Sequence, residues 1–260
     1  MKDFLFTSKT RDDLHCAEIK AHLQKSIPKQ VFETLCETAK TQRFAADSVL
    51  WEDGMERPGI GILCQGYLRF QRNGLDGRRQ IMGLVVPGDI VGDRVSGRPD
   101  LSLEAASDAT IYWFDRKVYD DFMYSDSMLR RNHYLNNMAQ VERLRWLTVI
   151  IGALRPDERL ACFLLSGKFT MSWHAQSHDR GVLTLAISRR DIADLLATTP
   201  ETVCRTLKKF EQEGLIEMID PVHVRVIDRA GLIQRAALIN EPVSLAYIMQ
   251  TDRKIMASVA

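Results

Sequence analysis

The stretch ISRRDIADLLATTPETVCRTLKKFEQEG, residues 187–214, predicts two helices joined by a short turn. Ser188 is a favoured N-cap residue, and Asp191 stands three residues later, in the position of a capping box. We therefore expect the first helix to begin at Arg189 and to end near Ala197.

The second helix of this stretch has equally clear ends. Thr199 is a suitable cap, Pro200 occupies the first helical position that proline favours, and Gly214 ends the helix. Two helices separated by so short a turn are typical of a helix-turn-helix, a motif that places its second helix in the major groove of DNA.

The second helix is predicted to have one apolar and one polar face. Val203, Leu207 and Phe210 follow the i, i+4, i+7 spacing of a buried helix face, so we expect them to pack on the first helix. The opposite face, which we expect to point outward, carries Glu201, Cys204, Arg205 and Lys208.

This polar face carries side chains suited to reading DNA. Arginine can bind guanine O6 and N7 with two hydrogen bonds, and glutamate can accept from cytosine N4, so base reading is assigned to Arg205, Glu201 and the adjacent Cys204. The competing interpretation is an exposed Glu201–Arg205 ion pair, worth about 0.3–0.5 kcal/mol. Neighbouring side chains are assigned to the phosphate backbone: Arg189, Arg190, Thr199, Thr202, Lys208 and Lys209.

Two short apolar runs follow the second helix. They cover residues 215–219 and 222–227, flank Asp220-Pro221 and predict a β-hairpin wing, which would complete a winged helix. We assign residues 153–238 to this winged helix-turn-helix domain. Residues 239–260 form a tail without a motif.

The middle of the chain is rich in glycine. Ten of the fifteen glycines lie between Gly54 and Gly97, and Asn73-Gly74 with Asp76-Gly77 marks a hairpin tip. Short strands with closely spaced turns favour a small antiparallel barrel or roll, which we place at residues 43–117. The runs of strand type are 48–51, 61–64, 67–71, 80–86 and 110–114.

A long helix is predicted after the roll, because no Gly or Pro occurs from Asp126 to Ile151. Mostly apolar side chains recur there at steps of three and four, which fits either a coiled-coil seam or one face of a core helix. We favour the seam, in a dimerisation helix over residues 118–152, and assign residues 1–42 to a helical segment. The predicted dimer stripe is Leu135, Met138, Val141, Leu144, Thr148 and Ile151.

Composition excludes several classes of protein. The net charge of +1 excludes an overall basic coat, and the longest apolar stretch, Trp146–Leu154, has nine residues against the roughly 20 of a membrane helix. The N-terminus lacks the apolar run of a secretory signal. We therefore expect a cytoplasmic protein with no membrane partner.

The sequence does not indicate an enzyme. A metal-dependent β-barrel enzyme needs clustered histidines, and the predicted roll contains none. His174 and His178 have a spacing that could hold a metal on a helix, but the stretch WHAQSHDR around them is typical of a loop. We expect no catalytic residue and no metal ligand, with a metal enzyme and a protein-binding adaptor as the rival classes.

Two motifs resemble those of the Crp/Fnr family of bacterial transcription regulators. PGDIVGD, residues 87–93, is similar to the P-G-D-x-x-G turn of the family's β-roll. PETVCR, residues 200–205, is similar to the E-T-x-S-R reading motif of the Fnr and FixK branches, with Cys204 in place of the serine. The resemblance covers about residues 30–235. It implies an α+β fold with a cyclic-nucleotide-binding-like β-roll, a long dimerisation helix and a C-terminal winged helix-turn-helix.

The resemblance also implies partners. Double-stranded DNA would be read by a homodimer as an inverted repeat of the TTGA-N6-TCAA type, with half-site centres about one helical turn apart. Fnr-like relatives contact RNA polymerase through a part of the roll that corresponds to the hairpin tip with Asp76, Arg78 and Arg79.

The cyclic-nucleotide site of the family is incomplete in this sequence. Relatives that bind cAMP carry a ribose-binding glutamate followed by an Arg-Thr or Arg-Ser pair, whereas Arg98 is followed here by Pro99, which offers neither a hydroxyl nor an N–H. The nearest glutamate, Glu104, comes after the pair. We expect no cAMP; Arg94 and Arg98 leave another anionic effector as an alternative.

A metal cofactor is also not expected. An iron–sulfur cluster needs several closely spaced N-terminal cysteines, and the N-terminal segment has Cys16, with Cys36 twenty residues later. His15, Cys16 and His22 leave haem, and with it gas sensing, as an alternative that we do not favour. The simplest expectation is a regulator without cofactor.

Cys204 suggests redox control. It lies next to Arg205, near the start of a helix, where thiols are activated. Oxidation would place negative charge or bulk against the DNA. The alternative is that Cys204 only replaces serine as a small contact to the DNA.

Overall fold

The computed structural model of the chain describes residues 27–52, 59–74, 77, 79–92, 101–177 and 180–236. Within these ranges the chain forms seven helices and twelve strands. Two compact units result. One comprises the residues up to Phe70 together with Leu84–Val141, and the other comprises Gln71–Gly83 together with the residues from Glu142 onward. The α+β fold class is confirmed.

Eight strands build the roll. They form two four-stranded sheets, in the orders β1-β8-β3-β6 and β2-β7-β4-β5. In the first sheet every neighbouring pair is antiparallel. The strands are β1 (Lys40–Phe44), β2 (Val49–Trp51), β3 (Ile60–Gln65), β4 (Leu68–Asn73), β5 (Arg79–Val85), β6 (Ile90–Val91), β7 (Ser102–Ala105) and β8 (Ala109–Phe114).

Strand β8, with the sequence ATIYWF, is buried along its whole length. Ile111 and Trp113 point into a core shared with the second sheet, whereas Tyr112 and Phe114 pack against helix α1 (Lys29–Glu37). Successive side chains of a strand alternate between the two faces. Because both faces are covered, the strand is a continuous apolar run rather than an alternating one.

The five predicted strand runs correspond to β2, β3, β4, β5 and β8. The sequence analysis missed β1, β6 and β7. Strand β1, KTQRF, lies at a sheet edge, pairs with β8 and is largely polar, so it lacks an apolar pattern. Strand β6 has two residues, too few for any periodicity.

The predicted helix 118–152 is wrong at its start. The segment forms two helices, α2 (Arg116–Ser125) and α3 (Ser127–Ala153), separated by Asp126 in an extended conformation. The Asp126 carboxylate accepts a hydrogen bond from the Leu129 amide at 2.7 Å. Asp126 therefore ends one helix and caps the next, which a scan for Gly and Pro does not detect.

The first half of α3 is attached to the roll by side-chain amides. Asn136 accepts from the Ile90 amide at 2.9 Å and donates to the Gly88 carbonyl at 2.8 Å. Gln140 donates to the Ile90 carbonyl at 3.0 Å. These bonds satisfy the backbone of the short strand β6 and of the P-G-D turn before it.

The predicted dimer stripe of α3 is not buried within the chain. All six of its side chains are exposed or half-buried, with Val141 at 38% and Leu144 at 43% exposure. Tyr134 and Val149, at 61% and 53%, add apolar surface to the same helix that the stripe did not include.

The second unit contains the C-terminal elements: α4 (Pro156–Thr170), β9 (Trp173–Ala175), β10 (Gly181–Thr184), α5 (Arg189–Leu195), α6 (Pro200–Gln212), β11 (Ile216–Met218), β12 (His223–Val226) and α7 (Arg229–Arg235). The strands form a sheet in the order β11-β12-β10-β9. The hairpin β11–β12 confirms the predicted wing.

The predicted loop at WHAQSHDR is wrong at its start, because Trp173–Ala175 pairs with β10. His174 thus lies in a strand, which removes the helical spacing proposed for a metal, and His178 lies outside the described residues. No cluster of potential metal ligands occurs in the part of the chain that the structure describes. Over the same residues, no helix has the length and apolar character needed to cross a bilayer.

Candidate nucleic-acid interface

Helix α5 begins and ends where the sequence predicts, within two residues. Ser188 caps it by accepting a hydrogen bond from the Asp191 amide at 3.0 Å. Its end is marked by Ala197, whose φ of 49° lies in the left-handed region. Arg159 of α4 donates to the carbonyls of Leu196 and Ala197 at 2.9 and 3.1 Å. The last carbonyls of α5 are therefore bound by a cationic side chain.

Helix α6 follows with the predicted cap. The Thr199 hydroxyl accepts from the Thr202 amide at 3.2 Å, and Pro200 occupies the first helical position. Gly214, with a φ of +71°, lets the chain leave the helix in the left-handed conformation. Its 13 residues form the longer helix of the pair.

The apolar face of α6 is buried, as predicted. Val203, Leu207 and Phe210 retain at most 3% exposure, and Ile192 and Leu195 of α5 are buried as well. Burial of each such side chain contributes about 1.5–3 kcal/mol, and these contributions hold the two helices together.

The opposite face of α6 is exposed at Glu201, Cys204, Arg205 and Lys208. The pKa of Glu201 is lowered by the backbone N–H at the start of the helix and by the Thr199 hydroxyl. Its carboxylate is therefore ionised at neutral pH and acts as an acceptor. No Glu201–Arg205 ion pair forms, although both side chains are described, so the competing interpretation is not supported.

The residues predicted to bind phosphate differ in accessibility. Arg190, Lys208 and Lys209 are exposed, as is Thr199, while Thr202 is half-buried. The Thr199 and Thr202 hydroxyls lie 3.1 Å apart at the N-terminus of α6, a position that favours anions.

Arg189 has a structural contact that the sequence analysis did not foresee. Its Nη2 donates to the Pro221 carbonyl of the wing at 2.7 Å. Burial lowers the pKa of this guanidinium, and the nearby Cys204 opposes that shift. Arg189 therefore joins the wing to α5 and lies close to the thiol on the outward face of α6.

The wing turn is organised by Asp220. Its carboxylate accepts from the Val222 and His223 amides, each at 2.8 Å, and lies 2.6 Å from His223 Nδ1. The His223 contact and these amides lower the pKa of Asp220. The signal for this role was the Asp-Pro dipeptide, which the sequence analysis used only to place the hairpin.

The predicted polymerase contact needs a correction at Arg79. Its Nη2 donates to Asp191 at 2.5 Å and its Nε to Asp194 at 2.7 Å, so the side chain is largely buried. A guanidinium held by two carboxylates is not available to a partner. Asp76 and Arg78 lie outside the described residues.

Most candidate effector ligands lie outside the described residues, namely His15, Cys16, His22, Arg94 and Arg98. Glu104, the nearest glutamate to the cyclic-nucleotide motif, accepts from Arg69 Nη2 at 2.8 Å. Its carboxylate is thus part of an internal ion pair with a buried arginine.

The described cysteines are all in the thiol form but differ in environment. Cys64 and Cys162 are buried, Cys36 is half-buried and Cys204 is exposed. Burial raises the pKa of Cys162 to about 12, which keeps this thiol protonated at neutral pH. Among these four cysteines, Cys204 is therefore the accessible one.

Known families match both halves of the chain. Residues 158–235 match the model of the Crp-like helix-turn-helix domain, and residues 41–126 match that of the cyclic nucleotide-binding domain. Together the two matches cover more than half of the chain.

Relatives and solved structures agree with these matches. The nitrogen fixation regulation protein FixK of Bradyrhizobium diazoefficiens is 33% identical over 195 residues, covering 72% of this chain and 80% of the relative. The transcriptional activatory protein AadR of Rhodopseudomonas palustris is 28% identical, with 84% and 90% covered. The structure of FixK2 from Bradyrhizobium japonicum has the same fold, with a TM-score of 0.69, 24% identity and coverage of 78% and 99%. These proteins are regulators rather than enzymes, and the chain belongs to the Crp/Fnr family of transcription regulators.

Proposed function

We propose that this regulator reads an inverted repeat of the TTGA-N6-TCAA type as a homodimer in the cytoplasm. The observation that supports this most directly is the exposure of Glu201, Cys204 and Arg205 on one face of a helix whose other face is buried. These three side chains occupy the positions of the reading motif of the Fnr and FixK branches.

The chemistry of α6 matches the single G·C pair of each half-site. Arg205 donates two hydrogen bonds to guanine O6 and N7, and the ionised Glu201 accepts from N4 of cytosine. Cys204 is a small contact beside them. Arg190, Lys208, Lys209 and the Thr199–Thr202 pair bind phosphates and set the register.

Replacement of Arg205 by alanine tests base reading. We expect specific binding to weaken by about 1–3 kcal/mol, measured by fluorescence anisotropy on a TTGA-N6-TCAA duplex and on a scrambled duplex. Exchanging the G·C pair of each half-site for A·T should weaken wild-type binding but cost Arg205→Ala little more, because the lost contact is the same one.

Lys209→Ala is the matched control. Loss of a phosphate contact should weaken binding equally on both duplexes and reduce the slope of log affinity against log salt by about 1. Equal losses on both duplexes for Arg205→Ala would contradict base reading. Unchanged partner binding with no DNA preference would favour the protein-binding adaptor.

We also propose that the exposed apolar surface of α3 joins two copies of the chain. Val141 and Leu144 are exposed on a helix of 27 residues, long enough for a two-stranded seam. We expect sedimentation equilibrium to give twice the mass of the chain, and Val141→Asp to raise the dimer dissociation constant at least about tenfold, because it would bury an unpaired charge. Tyr124→Asp, on the exposed surface of α2, is the control, and equal effects would argue against this seam.

We propose that specific binding needs no cofactor but is sensitive to oxidation at Cys204. The incomplete cyclic-nucleotide motif and the Arg69–Glu104 ion pair support the first part. The exposure of Cys204 beside base-reading residues supports the second, since a sulfinate there would repel phosphates.

Peroxide treatment tests the thiol. We expect it to weaken specific binding of the wild type and of Cys36→Ser, and to leave Cys204→Ser unaffected. Unchanged peroxide sensitivity in Cys204→Ser would exclude the thiol. If the purified protein lacks sequence preference in both redox states, the effector-dependent alternative gains support, and an absorption spectrum would then test for haem or an iron–sulfur cluster.

We propose a polymerase contact at Asp76 and Arg78, and leave out Arg79. Charge reversal at Arg78 should lower transcription in a reconstituted assay while DNA affinity stays unchanged. Equal loss of both activities would contradict the contact.

A further inference from the structure

A buried ion-pair network connects strand β5 to the first helix of the helix-turn-helix. Arg79 Nη2 donates to Asp191 Oδ1 at 2.5 Å, and its Nε donates to Asp194 Oδ2 at 2.7 Å. Gln80 Nε2 donates to the Asp194 carbonyl at 2.7 Å. We call these four residues, Arg79, Gln80, Asp191 and Asp194, the Arg79 bracket.

The bracket is largely removed from water. The side chains of Arg79, Asp191 and Asp194 are 13%, 2% and 19% exposed. A guanidinium presents several N–H donors in a rigid plane, so it can bind two carboxylates at once, which an ammonium does with less directional control. Asp191 and Asp194 are three residues apart on α5 and therefore share one face of this helix.

Strand β5 has a second anchor further along. A Cβ atom at Gly83 would lie 2.6 Å from Leu144 Cδ2, so the Leu144 side chain rests directly on the backbone of this strand. Strand β5 is thus held by α5 through the bracket and by α3 through Gly83. The elements concerned belong to the same compact unit.

Helix α5 carries α6 through the buried contacts of Val203, Leu207 and Phe210. Any displacement of α5 from β5 therefore moves the reading helix. A dimer must present its two reading helices about one helical turn of DNA apart, so freedom at α5 is freedom that DNA binding has to remove.

We propose that Arg79 is a positioning residue for sequence reading, which acts through Asp191 and Asp194 on the orientation of α6. The bracket pre-organises the helix-turn-helix, and its loss leaves the reading surface intact but poorly fixed. This inference rests on the proposed DNA reading. It assigns to the hairpin arm a role other than contact with polymerase.

Arg79→Ala in the full-length dimer tests the bracket, with Arg72→Ala as the matched control. Arg72 is exposed on the same hairpin and loses the same charge without touching the bracket. We expect Arg79→Ala to weaken binding to the TTGA-N6-TCAA duplex about tenfold. Binding to the scrambled duplex and the salt slope should not change, because Arg79 contacts no phosphate. Arg72→Ala should leave the affinity ratio of the two duplexes unchanged.

A second set of variants separates positioning from stability. Arg79→Ala leaves the buried Asp191 carboxylate without its guanidinium, so its melting temperature should fall. Adding Asp191→Asn should restore much of the melting temperature but not the specific affinity, because the link to α5 stays broken. The milder Asp194→Asn should fold normally and lower specific affinity by a smaller factor.

Three results would overturn the inference. They are an unchanged affinity ratio for Arg79→Ala, tighter specific binding, and recovery of specific affinity together with melting temperature in the double variant. Failure of the proposed DNA reading is distinguishable, because the wild type itself would then show no preference between the two duplexes.

Discussion

Burial of Val203, Leu207 and Phe210 against α5 determines what the rest of α6 can do. Because these side chains lie on one face of the helix, their burial turns Glu201, Cys204 and Arg205 outward on the other. The turn between the helices is short enough to need a left-handed residue, Ala197, and a guanidinium from α4 over the last carbonyls of α5. The wing is joined to the same helix by Arg189. The outward face is thus held by packing, caps and one arginine at each end of α5.

Arginine between two carboxylates is used twice in this chain. Arg69 is buried between Asp47 and Glu104 in the roll, and Arg79 is buried between Asp191 and Asp194. Removing ions from water is costly, and breaking such a pair costs about 3–5 kcal/mol because it leaves a buried charge uncompensated. Such pairs add little net stability but tolerate few alternative geometries. They therefore suit places where one element must be held in one position against another.

Helix α3 has different surroundings along its length. Its first half donates and accepts hydrogen bonds through Asn136 and Gln140 to the short strand β6, while Tyr134 and Val141 stay exposed. Further along, Leu144 rests on Gly83 and yet keeps nearly half of its surface exposed. This mixture explains why the apolar stripe of the sequence fitted both a core face and a dimer seam.

The sequence by itself determined the local structure of the reading unit. Ser188, Thr199, Pro200 and Gly214 act through bonds within a few residues, so caps, turn and the two faces of α6 could be predicted without knowing the fold. Strand β1 and the break at Asp126 escaped prediction because an edge strand needs no apolar pattern and an aspartate can cap a helix without Gly or Pro. The partners of Arg79, Arg159 and Glu104 were decided by the tertiary structure alone. They lie 115, 38 and 35 residues away along the chain. A charged side chain carries no sequence signal for its partner, because many carboxylates or carbonyls could serve and only the packing of the elements selects one.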